Sequence, residues 1–96
     1  MSPLNKNKLN VLRVKLDSLD NELLKLIKKR SNLVNDVLEV KIHKKEIIDQ
    51  KRIKFILKKI KKKSIQLNID PKITNRIWKN MIWSFIDYEK RNFKNK

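Results

Sequence analysis

The sequence lacks several residue types on which whole classes of protein depend. It contains no cysteine, which excludes a disulfide-stapled scaffold and a zinc site with cysteine ligands. It contains no glycine, so a P-loop or a dinucleotide-binding turn cannot form, and tight hairpin turns lose their usual residue. Its two prolines, Pro3 and Pro71, leave a long uninterrupted stretch between them. These absences predict an all-helical protein, and the length of 96 residues predicts a single domain over residues 1–96.

Positive charge, in contrast, is abundant. Lysine and arginine number 26 against 10 aspartates and glutamates, which gives a net charge of +16. Such a charge is typical of a surface for nucleic acid or another polyanion. The alternative is compositional drift in an A/T-rich genome, which enriches lysine, isoleucine and asparagine and depletes alanine and glycine. We favour drift over a nucleic-acid partner, because 21 of the 26 basic residues are lysine and a nucleic-acid face usually contains more arginine.

No targeting or membrane segment is recognisable in the sequence. The first ten residues are polar, and no apolar run approaches the roughly 18 residues that are needed to span a bilayer. We therefore expect a cytoplasmic protein that does not enter a membrane.

The first half of the chain has the apolar spacing of one long helix. The pattern predicts a helix from about residue 5 to 42, which would be a rod of roughly 50–55 Å. The remaining residues are too few to cover such a rod, so we expect a second copy of the chain to cover part of it in a homodimer. The apolar positions follow one another at steps of three and four, or seven: Leu12, Leu16, Leu19, Leu23, Leu26, Leu33, Val37 and Val40.

Two further helices are predicted after an interruption at residues 42–48, which we interpret as a loop. Asp49 can cap a second, medium-length helix. Asp70 followed by Pro71 marks the start of a third, long helix that frays near Asn92. The apolar positions are Ile53, Ile56, Leu57, Ile60 and Ile65 in the second helix, and Ile73, Ile77, Trp78, Met81, Ile82, Phe85 and Tyr88 in the third.

Several charged residues fall on the apolar faces rather than on the outer faces of these helices. Arg30 occupies a position of the first apolar stripe, and Lys41 follows eleven residues later, three turns plus about 20°. Both cations therefore point the same way along an apolar face, and each needs an anion. The third helix offers Glu89, and the start of the second helix offers Asp49.

Arg13 points away from these two cations. It precedes Arg30 by 17 residues, which leaves an angle of about 260° and roughly 25 Å along the axis. One alternative is that Arg30 and Lys41 form core ion pairs with Glu89 or Asp49 while Arg13 is solvated. The other is a pocket for a small dianion, which Arg13 would reach from the other protomer of the dimer.

A set of residues in fixed order carries a family resemblance. From about residue 9 to 90 the chain resembles the all-helical chorismate mutase family. The resemblance implies an intertwined homodimeric helical bundle with two active sites, each lined by one chain and by an arginine of its partner. That role falls on Arg13, in agreement with the rotation argument. The matching residues are Leu12-Arg13, Leu19-Asp20, Leu23-Leu24, Leu26, Arg30, Lys41, Asp49-Gln50-Lys51-Arg52, Ile69-Asp70, Thr74-Asn75-Arg76-Ile77 and Glu89.

The resemblance also implies a reaction and its site. Chorismate mutases rearrange the dianion chorismate to prephenate in aromatic amino-acid biosynthesis, and the reaction needs no metal and no other cofactor. Arginines hold the carboxylates, while a lysine and a second donor stabilise the charge that grows on the ether oxygen. We expect Lys41 and Glu89 to be catalytic, with Glu89 protonated because a carboxylate cannot donate a hydrogen bond. The expected substrate-binding residues are Arg13, Arg30, Lys41, Asp49, Arg52 and Glu89.

Two positions depart from the mutase pattern. Ile53 stands where many mutases have a carboxylate, and Phe85 stands where they have a small hydroxylated residue. The related isochorismate-pyruvate lyase also has an aliphatic residue at the position of Ile53. We therefore keep that lyase as an alternative, and a non-catalytic, basic nucleic-acid-binding helical protein as another.

Overall fold

The computed structural model describes residues 2–94, which are helical throughout apart from short connections and the two ends. Three α-helices run in the predicted order of long, medium and long: α1 over Pro3–Val40, α2 over Gln50–Gln66 and α3 over Pro71–Asn92. No strand occurs within residues 2–94. The all-helical prediction is confirmed, and α1 lies within about two residues of its predicted bounds. Tertiary contacts divide the chain into two compact units, one ending at Leu33 and the other beginning at Val34, which we describe separately.

The segment predicted as a loop contains a short 3-10 helix, which the sequence analysis missed. It covers Lys44–Ile47, and its first turn is closed by the Glu46 side chain, whose Oε1 accepts a hydrogen bond from the His43 backbone N–H at 2.9 Å. Ile47 at its end is buried in the core of the second unit. The apolar residues of the interruption therefore anchor the connection between α1 and α2 to the core.

Both predicted caps are present at the starts of α2 and α3. Asp49 Oδ1 accepts a hydrogen bond from the Arg52 backbone N–H at 3.0 Å. Asp70 Oδ1 accepts from the Lys72 N–H at 2.9 Å, and Pro71 occupies the first helical position, where no donor is needed. Local sequence signals therefore fix where these two helices begin.

The turn between α2 and α3 shows how the chain manages without glycine. Asn68 has a left-handed φ of 58°. Its N–H bonds to the Ile65 carbonyl, and the Ile69 N–H bonds to the Ser64 carbonyl. This is the Schellman arrangement, which usually places glycine at the left-handed position, with asparagine as the common substitute.

The core of the second unit lies where α3, α2, the 3-10 helix and the last turns of α1 meet. Its buried hydrophobic residues are Leu38, Ile47, Ile82 and Ile86, with Ile48, Ile53, Ile56, Leu57 and Phe93 packed against them. Further toward the α2–α3 turn, the Ser64 and Thr74 hydroxyls form a buried hydrogen bond of 2.7 Å. The second unit therefore combines a small aliphatic core with one polar contact between α2 and α3.

Three of the apolar positions predicted for α2 and α3 lie outside the core of the second unit. Ile65, Ile73 and Ile77 are all at least half exposed, whereas their neighbours Ser64 and Thr74 are buried. The two small hydroxyl side chains satisfy each other and let α2 and α3 approach closely, so the helices turn Ser64 and Thr74 inward. The nearby isoleucines are consequently rotated toward the surface.

The first unit is the part of α1 that ends at Leu33. Most of its apolar side chains are more than half exposed: Leu4, Val11, Leu12, Val14, Leu16, Leu19, Leu23, Leu24, Leu26 and Leu33. A helix that is apolar on one face normally buries that face. Although α1 has 38 residues, neither it nor any other helix within residues 2–94 is apolar enough over a sufficient length to cross a membrane.

The cap of α3 leads to a stability prediction. We expect Asp70→Ala to lower the free energy of unfolding by about 1 kcal/mol, because the Lys72 N–H loses its acceptor. Asp70→Asn is the matched control, since it keeps the acceptor oxygen. Urea unfolding at one fixed protein concentration would measure both, and equal losses for Ala and Asn would contradict a capping role.

Candidate active site

The two residues predicted to be catalytic lie together in the second unit. Lys41 directly follows the last residue of α1, and Glu89 lies near the end of α3. Lys41 Nζ donates a hydrogen bond to Glu89 Oε1 at 3.1 Å, a contact between residues 48 positions apart in the sequence. This is the pairing that the core-ion-pair alternative predicted for Lys41.

Burial makes this pair different from a surface salt bridge. The Lys41 side chain is 16% exposed and the Glu89 side chain 8%. Removing two charges from water is costly, and the cost is offset only when the charges pair with good geometry. By contrast, Arg91 and Asp87 form an ion pair of 3.0 Å on the outside of α3 with both side chains mostly exposed, and such pairs contribute little to stability.

Glu89 is held in place by the apolar side of α3. Ile86 and Ile82, one and two turns earlier, are both buried in the core of the second unit. Lys41 is held from the other side, because its backbone N–H bonds to the carbonyl of buried Leu38 at 3.2 Å. The Lys41–Glu89 pair therefore sits on rigid elements at the edge of the core.

Asp49 and Arg52 are linked through the start of α2. Because the Asp49 side chain caps the helix, its carboxylate is already engaged by the Arg52 backbone N–H. The Arg52 side chain is exposed, with its guanidinium carbon 5.5 Å from the centroid of the Phe55 ring. On the other side, Lys59 Nζ lies 6.0 Å from the same ring. The exposed Phe55 thus supports the Arg52 guanidinium by a cation–π contact.

Phe55 is a residue that the sequence analysis missed. The signal was available, since an aromatic residue three positions after Arg52 and four before Lys59 shares a helix face with both cations. Phe55 lies off the apolar positions of α2, so periodicity alone does not identify it.

Arg13 and Arg30 both lie on the first unit, in the part of α1 that precedes Val34. Arg13 is exposed and Arg30 is half-buried. The four other predicted site residues belong to the second unit, where Lys41 joins Glu89 and Asp49 joins Arg52.

The two departures from the mutase pattern have different surroundings. Ile53 is half-buried and packs against the core of the second unit. A carboxylate at that position would be placed against aliphatic side chains, so Ile53 supports the packing of the second unit. Phe85, on α3 one turn before Glu89, is also half-buried.

A second polar contact joins the end of α3 to the last turns of α1. The Tyr88 hydroxyl donates to Asn35 Oδ1 at 2.8 Å, and a cavity of about 350 Å³ surrounds this contact. Tyr88 was predicted as an apolar position only, although a half-buried tyrosine usually finds a hydrogen-bond partner. The cavity is lined by Asn35, Leu38, Glu39, Tyr88, Asn92 and Lys94.

The chemistry available at this site is that of anion binding and hydrogen bonding. Lys41 offers three donors and a fixed charge, while Glu89 accepts as a carboxylate and donates only when protonated. A bound anion that pairs with Lys41 would compete with Glu89 for the lysine ammonium. Among residues 2–94 no group of three or more acidic or histidine side chains is placed to hold a metal ion.

Comparisons with known proteins identify what this chain resembles. The family model for chorismate mutase type II matches residues 12–90. A chorismate mutase of Methanocaldococcus jannaschii is 38% identical over 76 residues, which covers 78% of this chain and 77% of that protein. No solved structure gave a significant match.

Proposed function

The chain belongs to the chorismate mutase type II family, an isomerase family, and we propose that it rearranges chorismate to prephenate at a site built around Lys41 and Glu89. Prephenate formation serves aromatic amino-acid biosynthesis, the pathway to which this family belongs. The reaction is an intramolecular rearrangement, so it requires a shaped, charged pocket rather than a nucleophile.

The single observation that carries the proposal for the site is the buried pair of Lys41 and Glu89. Chorismate is a dianion whose ether oxygen gains negative charge as its bond breaks. Lys41 would contact one carboxylate and the ether oxygen, and Glu89 in its protonated form would be the second donor to that oxygen. Donors aimed at an atom whose charge grows during the reaction stabilise the transition state more than the ground state.

The remaining substrate contacts follow from the family resemblance. Arg30 and the Arg13 of the partner chain would bind the two carboxylates, because arginine forms paired hydrogen bonds with carboxylate oxygens. Arg52, held over Phe55, would complete the wall at the start of α2. Asp49 would lie near the substrate hydroxyl with the carboxylate oxygen that the cap leaves unused.

A homodimer is part of the proposal. The helix α1 has 38 residues and therefore a length of about 57 Å, and its leucine stripe is more than half exposed in the single chain. Each fully buried leucine contributes roughly 1.5–3 kcal/mol, so covering the stripe with α1 of a second copy would stabilise the assembly strongly. The same arrangement would bring Arg13 of one chain to the site of the other. The expectations of a single domain over residues 1–96 and of a cytoplasmic location stay predictions from the sequence.

Incubating the purified protein separately with chorismate and with isochorismate tests the proposed reaction. We expect prephenate from chorismate and no salicylate or pyruvate from isochorismate. The Arg30→Ala variant, prepared in the same way, is the control for contaminating host enzyme. Salicylate and pyruvate as the only products would identify a lyase instead, and no turnover of either substrate would contradict both activities.

A further inference from the structure

The outer surface of α2 has many basic residues and no acidic residue. Eight of its seventeen residues are basic, none is acidic, and all eight are exposed. We call this surface the cationic face of α2, and its residues are Lys51, Arg52, Lys54, Lys58, Lys59, Lys61, Lys62 and Lys63.

The position of this face follows from the packing of α2. Ile53, Ile56 and Leu57 are turned toward the core of the second unit, so the basic residues occupy the opposite side of the helix. At 100° per residue they cover an arc of roughly 200°, and from Lys51 to Lys63 they extend over about 18 Å. One end of the face contains Arg52, which belongs to the proposed site.

The charge is unevenly distributed over the chain. Helix α1 is more than twice as long as α2 but has eight basic and five acidic residues, a net charge of only +3. Compositional drift acts on the whole chain and does not explain why α2 lacks acidic residues. Because α2 has no carboxylate, no negative charge on this helix reduces the positive potential of the cationic face.

We propose that the cationic face of α2 attracts the dianionic substrate to the active site and thereby lowers KM. The inference rests on the proposed function, since it takes chorismate as the ligand. A dianion interacts twice as strongly with each cation as a monoanion does, so its local concentration rises steeply with the potential. Lysines that never contact the substrate would thus contribute to the affinity for it.

The effect must act on substrate capture and leave the chemical step unchanged. Lys58, Lys61 and Lys62 lie about 9–15 Å from Arg52 along the helix axis, beyond contact with a substrate bound there. Over such a distance the substrate and the transition state, both dianions, are attracted equally. Equal stabilisation of the two states changes KM but not kcat.

The experiment compares two triple variants of exposed lysines across a range of ionic strength. Lys58→Gln, Lys61→Gln and Lys62→Gln together remove three charges, whereas the matched triple Lys→Arg variant keeps them. For the Gln variant we expect kcat/KM to fall about tenfold at about 10 mM ionic strength and about twofold at about 150 mM, because the Debye length shrinks from about 30 Å to about 8 Å. We expect kcat to be unchanged and the Arg variant to follow the wild type.

Two results would overturn the proposal. One is a Gln variant whose kcat/KM follows the wild-type curve at every ionic strength, which would assign all salt sensitivity to cations that contact the substrate. The other is a loss that appears in kcat, or equally in the Arg variant, which would indicate a structural effect. A wild-type protein that converts no chorismate at any salt concentration would instead contradict the proposed function, so the two failures are distinguishable.

Discussion

Lys41→Met is expected to lower kcat by about a thousandfold, because the growing charge on the ether oxygen loses its cationic donor. Methionine retains most of the length and apolar volume of the lysine stem, so packing beside Leu38 should change little. The buried Glu89 would lose its ion-pair partner, so the variant should also be less stable than wild type. Steady-state kinetics with chorismate would measure the loss.

The control for Lys41→Met is Lys44→Met, which removes an exposed lysine of the adjacent 3-10 helix. It should retain wild-type kcat. A Lys41→Met enzyme that keeps more than about a tenth of wild-type kcat would show that this lysine does not contact the reacting oxygen.

Glu89→Gln belongs to the same prediction, because it separates charge from hydrogen bonding. A carboxyl group donates to the ether oxygen only in its protonated form, whereas the glutamine amide always has a donor. We therefore expect Glu89→Gln to retain much more of the wild-type kcat than Glu89→Ala, which removes the donor. Equal losses of kcat for the Gln and Ala variants, measured at one fixed pH, would show that Glu89 is only the ion-pair partner of Lys41.

Arg13→Ala and Arg30→Ala chains are each expected to be nearly inactive, yet to restore activity when mixed. If Arg13 acts in the site of the partner, each heterodimer has one site with both arginines and one site with neither. Random exchange of equal amounts makes half of the dimers heterodimers, so about a quarter of wild-type activity should return. Activity measured after mixing, with differently tagged chains to prove exchange, provides the test.

The matched control for the mixing experiment is Arg76→Ala, which removes an exposed arginine of α3 that is not assigned to the site. It should be active alone and gain nothing from mixing. Proven subunit exchange without recovery would place Arg13 and Arg30 in the same site or outside it.

The starts of α2 and α3 were predictable from the sequence because their causes are local. Asp49 and Asp70 accept hydrogen bonds from residues only two or three positions away, and Pro71 fixes its own φ. The contact between Lys41 and Glu89 was also anticipated, since a cation on an apolar face requires an anion. Lys41 and Glu89 are far apart in the sequence, but the need of a cation on an apolar face for an anionic partner can be recognised from the charge pattern.

The packing of α2 on α3 was less predictable. Periodicity identified the apolar sides of both helices but favoured Ile65, Ile73 and Ile77 over Ser64 and Thr74. Which residues face each other depends on how closely two helices approach, and small hydroxyl residues become the better choice only once they can pair. The distance between the two helices is a property of the pair, so the residue pattern of one helix alone does not predict which residues face the other.

The small core of the second unit has a consequence for how the protein responds to dilution. Only four hydrophobic residues are buried within the described part of the chain, while most of the leucines of α1 are exposed. In the proposed dimer, much of the apolar burial would come from association, so folding and assembly would form one equilibrium governed by mass action. The melting temperature would then rise with protein concentration, and dilution alone would shift the protein toward its unfolded state.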